Sequence, residues 1–119
     1  MAIKRFFAIK DNTITNAFKQ NLSTRATGSN MGAADILEVF SIYGQATTSS
    51  SELSRALIQF STSSISSART SGDIPASGSV NFFLRMFNAP HQHTVPENFK
   101  MVVAPVSASW DEGVGLDMD

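Results

Sequence analysis

The sequence predicts an all-β chain, and three observations carry that reading. Ser79–Phe87 (SVNFFLRMF) alternates at period two, with Val80, Phe82, Leu84 and Met86 on one side and Asn81, Phe83, Arg85 and Phe87 on the other. Turn clusters bound this stretch on both sides, ProAlaSerGly at 75–78 and AsnAlaPro at 88–90. Finally, the composition is 42% hydrophobic and only 16% charged, with nine Phe against one Tyr and one Trp, so most aromatic rings belong in a core or an interface.

The 119 residues allow one domain at most, 1–119, or the N-terminal part of one. Nine basic and ten acidic residues give a net charge of -1, which leaves no basic patch for phosphate-driven nucleic-acid binding. The absence of Cys removes disulfides and thiolate metal sites. No apolar run approaches the roughly 20 residues of a spanning helix, and the start (MAIKRFFAIK) has too short an apolar stretch for a secretion signal.

In chain order, Ala2–Ile9 reads as a first strand and AspAsnThr (11–13) as a turn or bulge, with 13–18 resuming the extended path. Asn21–Gly32 is polar, aperiodic loop. Ala33–Tyr43 fits a helical face through Ile36, Val39, Phe40 and Tyr43, yet its β-branched and aromatic content favours strand. Gln45–Ser51 is a Ser/Thr loop. Glu52–Phe60 repeats the ambiguity. Ser49 with Glu52 makes a capping-box pattern that favours a short helix, whereas a strand would turn Ala56, Ile58 and Phe60 inward and Arg55 and Gln59 outward. Ser61–Thr70 is a long serine-rich connection, with Ile65 and Ile74 pinned against the core. Phe99–Val106 is a further strand, at an edge or bulged because Pro105 cannot donate to a ladder.

Several motifs form a series: AsnMetGly (30–32) before LeuGluVal (37–39), ArgAlaLeuIleGlnPhe (55–60) before SerSerIle (63–65), ValAsnPhePheLeu (80–84), and ValSerAlaSerTrpAspGluGly (106–113). In order and spacing they resemble the disaggregatase-related (DNRLRE) domains, β-sandwich modules grouped with carbohydrate-binding module family 96. IleTyrGlyGlnAlaThrThr and SerTrpAspGluGlyValGlyLeuAspMet also resemble structural proteins of marine bacteriophages that carry such a module. The resemblance spans about 12–116. It implies a jelly-roll-like antiparallel β-sandwich with both helix-like stretches as strands, and a chain that stops before the family's closing strands. Its structural signature falls on Asn30, Gly32, Arg55, Phe60, Trp110, Glu112 and Gly113.

The expected strands are therefore 34–43, 54–60, 79–87 and 99–106, with helix confined to a turn or two. The expected core is Leu37, Val39, Ile58, Phe60, Val80, Phe82, Leu84, Met101, Val103 and Trp110. No catalytic constellation is present: there is no Gly-x-Ser-x-Gly elbow, and Asp111 and Glu112 are too close for a glycosidase pair. His91 and His93 are a weak metal candidate with Glu97 as the nearest third ligand, and surface histidines are the plainer account. Asp111, Glu112, Asp117 and Asp119 lack a calcium-loop spacing and read as a solvated tail. Trp110 reads as a packed corner rather than a sugar platform, and Arg55 and Arg85 as solvated, with Asp35 and Glu38 as candidate partners. No cofactor is expected. The expected function is a non-enzymatic structural or attachment module of a phage virion, assembled in the host cytoplasm as a capsid decoration, tail or fibre component. Its partners would be other virion subunits or the missing C-terminal region. The alternative is a carbohydrate-binding module whose partner is a host-surface glycan.

Overall fold

Three strands, Ala8–Thr15 (β1), Ser41–Tyr43 (β2) and Ser51–Phe60 (β3), and one helix, Thr62–Thr70 (α1), form the regular structure of the computed structural model, which describes residues 3–76, 78–92 and 97–116. The regular structure is β-dominated. The three strands make one antiparallel sheet in the order β1-β3-β2.

β3 is the central strand. Its period-two pattern wins over the capping-box signal because the Glu52 carboxylate is used elsewhere. Instead of closing a helix start, its Oε2 accepts the Phe18 N–H at 3.0 Å. Arg55 and Gln59 are exposed while Ala56, Ile58 and Phe60 are half-buried, the register expected for a strand. β1 pairs with β3 from Ala8↔Phe60 to Thr15↔Ser54, with an irregularity between Ala8 and Lys10.

That pairing corrects the first-strand reading. Residues 3–7 lie outside the strand, which begins at Ala8 and runs through 11–13, where the buried Asn12 and Thr13 find hydrogen-bond partners; Ala2 is outside the described residues. The strand expected over 34–43 is reduced to Ser41–Tyr43, which pairs with Ser51–Leu53. Residues 38–40 instead bond to side chains: the Glu38 N–H donates to Thr13 Oγ1 and the Phe40 N–H to Ser54 Oγ.

Ser61–Thr70 is not an extended connection. Ser61 caps α1 by accepting the Ser64 N–H, and Ala68 is buried on the helix face that also carries Ile65. Serines disguise this helix, since they favour caps and turns when read singly. α1 makes no close approach to the strands among the described residues. Its Ala68 C=O accepts the Ile74 N–H, Ile74 is buried as expected, and Lys4 bridges to Asp73 at 2.9 Å.

By contact density the chain divides into two units, Met1–Asn81 with Glu112–Asp119, and Phe82–Asp111. The second contains no strand or helix among its described residues. The strands expected at 79–87 and 99–106 are therefore not formed. Their alternation is strand-like, but a strand exists only with a bonded neighbour, and neither stretch pairs with another among the described residues. The expected core is corrected with them. Val39, Phe82, Leu84, Met101 and Val103 are exposed, and Leu37, Ile58, Phe60, Val80 and Trp110 are half-buried. The buried apolar residues are Ala26, Ala68 and Ile74, and no large side chain among the described residues is fully buried.

Candidate functional site

Two features of this unit gather polar groups. The first is a clasp that ties the segment 112–115 to β1 and to the loop at 30–33. Asn12, 5% exposed, donates its Nδ2 to the Glu112 carbonyl at 2.6 Å and accepts the Met31 N–H on Oδ1 at 3.2 Å. Asn30 donates Nδ2 to the same carbonyl at 3.3 Å, and its Oδ1 accepts the N–H groups of Gly32 at 3.1 Å and Gly115 at 2.7 Å. The Glu112 carboxylate accepts the Asp11 N–H at 2.7 Å, and the Ala33 N–H donates to the Gly115 carbonyl at 2.9 Å.

Glycine is required at the crossing. A Cβ on Gly32 would fall on the Glu112 carbonyl, and one on Gly113 would fall on the Asn30 amide. Gly113 also sits at φ +75, where an L side chain is strained. The structure thus brings together Asn30, Gly32, Glu112 and Gly113 of the signature residues. Arg55 and Phe60 lie on β3, apart from the clasp, and Trp110 is half-buried in the second unit. Asn12 and Gly115 complete the clasp unannounced by the sequence. The one clue was an Asn inside an otherwise strand-compatible run at 8–15, a residue that strands disfavour unless its amide is used.

The second feature is Glu52, 3% exposed in a strand. One carboxylate oxygen holds the Phe18 N–H, and the other, Oε1, has no protein partner. Beside it the Arg25 guanidinium stacks on the Phe18 ring, 3.7 Å from its centroid, and donates to the carbonyls of Asn16 and Ser51. The excursion 16–26 is thereby folded back on the sheet through the Phe18↔Arg25 bridge.

The clasp consists of amides, backbone and one carboxylate already holding a backbone amide. A shallow depression along α1 is lined by Ser63, Ser66, Ser67, Thr70 and Ser71, hydroxyls without a base to activate them. Among the described residues no three His, Asp or Glu side chains gather to hold a metal. His91 is exposed, and His93, Asp117 and Asp119 lie outside the described residues. Arg55 and Arg85 form no ion pair with Asp35 or Glu38 among the described residues, and Arg85 instead lies over the Phe87 ring at 4.9 Å. No described helix is long and apolar enough to cross a membrane.

What the molecule presents in quantity is apolar surface. Phe83, Phe87 and Val102 are 80–91% exposed, and Phe82, Met86, Phe99, Val103 and Val106 are exposed as well. No protein-family model, no curated protein and no solved structure matches this chain.

Proposed function

We propose that the chain is a non-enzymatic structural or attachment module of a phage particle, a β-sandwich completed by neighbouring subunits. The observation that carries the reading is exposed apolar side chains: Phe82, Phe83, Met86, Phe87, Phe99, Val102, Val103 and Val106 all stand in solvent. A soluble monomer rarely leaves so many large apolar side chains in water, and a neighbouring subunit would cover them. The resemblance to phage structural proteins supplies the setting: a virion, as a capsid decoration, tail or fibre component.

A second reading has its own observation. Phe83 and Phe87, both exposed, with Arg85 over the Phe87 ring, offer rings on which a sugar could stack. This is the carbohydrate-binding alternative, with a host-surface glycan as ligand. Peptide counting on gradient-purified particles, together with polysaccharide retention of the isolated chain, separates the two. The structural reading expects the chain at fixed stoichiometry in particles and no retention. A polysaccharide-binding chain absent from particles would overturn it.

A further inference from the structure

The sheet is open along one particular edge. β2 covers only Ser51–Leu53 of β3, and the last bond on that side runs from the Ser54 N–H to the Phe40 carbonyl at 3.0 Å. Beyond it, Arg55–Phe60 has β1 on one side and neither strand nor helix on the other among the described residues. The alternation of backbone bonds identifies the open groups. Ser54 bonds toward β2, while Leu53 exchanges bonds with Asn16 on the β1 side. The N–H and C=O groups of Ala56 and Ile58 therefore face the uncovered side. The other edges are less available. β2 is three residues long, and β1 has its Asp11 N–H already taken by the Glu112 carboxylate.

The same chain carries a strand-like pattern without a sheet. Val80–Phe87 alternates at period two and lies in no strand or helix. Its eight residues are enough to span the six open ones, and as a strand it would present one apolar face. Val80, Phe82, Leu84 and Met86 would continue the half-buried row of Ala56, Ile58 and Phe60, and Asn81, Phe83, Arg85 and Phe87 the row of Arg55, Leu57 and Gln59, of which Leu57 alone is half-buried.

We propose that Val80–Phe87 of one copy adds as a strand to the open Arg55–Phe60 edge of β3 in a second copy. This deepens the assembly reading and rests on it, naming the partner and the contact. Phe82, Leu84 and Met86, 60%, 43% and 51% exposed, leave the apolar side of the segment free to be covered. A net charge of -1 sets no electrostatic barrier between copies. Paired main-chain bonds would give the affinity and the Phe, Leu and Met side chains the specificity, as in strand addition generally.

The absence of Cys from the whole sequence makes the test clean. Single-cysteine chains R55C and Q59C are each mixed with N81C and R85C, four pairings that cover both strand directions, and oxidised. All four positions are exposed. The expected result is a mixed disulfide of twice the chain mass in at least one pairing, lost when the segment donor also carries Leu84→Pro. The corresponding double-cysteine chains are run in parallel. Disulfide formed only within a monomer would show that the segment fills its own sheet and overturn the proposal. An oligomer without any of these cross-links would overturn this contact and leave the assembly reading standing. A monomer without cross-links would overturn both.

Discussion

Replacing Asn30 by Ala tests how the segment after Trp110 is held. The Asn30 side chain accepts two backbone N–H groups, from Gly32 and Gly115, and donates to the Glu112 carbonyl. The donated bond at 3.3 Å is long, so most of its worth lies in the two accepted ones. Stranding a backbone amide costs about 1–3 kcal/mol when it is buried, and these are part-buried, so the lower half of that range applies to each and the total is roughly 2–4 kcal/mol. Asn30→Asp keeps the accepting oxygen and sets a second carboxylate oxygen against the Glu112 carbonyl, so it should cost less than Ala. Urea unfolding at one fixed protein concentration reads the difference, the concentration being held because association would otherwise contribute. Limited proteolysis should release the residues after Trp110 faster from N30A than from the parent. A loss below about 0.5 kcal/mol with unchanged proteolysis would show that the clasp does not anchor this segment.

Three further outcomes are expected. Glu52→Ala strands the part-buried Phe18 N–H and should cost about 1–2 kcal/mol in the same assay, with loss of order confined to residues 16–26. Leu84→Ala should cost about 1 kcal/mol or less in a dissociated chain, because Leu84 is 43% exposed and no cavity of the usual 2–5 kcal/mol kind is created, yet it should weaken association several-fold in sedimentation. The Lys4 ammonium, by hydrogen bond and charge, and then the Ser71 hydrogen bond hold the half-exposed Asp73 carboxyl below its ordinary pKa. Its contribution is therefore present above the ordinary carboxylate range and lost as pH falls through the lowered value, so Asp73→Asn should flatten a small acid limb of stability that salt also screens.

How far the fold was legible follows from where its signals lay. Residues 52–60 alternate, and alternation alone placed Arg55 and Gln59 outside. The competing capping pattern at Ser49 and Glu52 was misleading because a carboxylate can serve a distant amide, here that of Phe18, as well as its own helix start. α1 was not legible, since its cap and its one buried face, Ala68, stand in a run of serines. Val80–Phe87 shows the opposite limit. Its pattern is the most regular in the chain, but a pattern specifies which faces a strand would have and not whether a partner strand is present. The clasp was half legible: the resemblance singled out Asn30, Gly32, Glu112 and Gly113, which the fold brings together, and also Arg55, Phe60 and Trp110, which lie elsewhere. Asn12 was concealed in what read as a turn.

The central claim is that the exposed apolar side chains between Phe82 and Val106 are covered by other subunits. Sedimentation equilibrium of the 119-residue chain over a wide concentration range tests it most directly. The account predicts a mass that is a multiple of 12.8 kDa, falling toward one chain only on dilution or on substitution of Phe82 and Leu84 by Ser. A folded species of a single chain's mass at every concentration, with or without those substitutions, would contradict it.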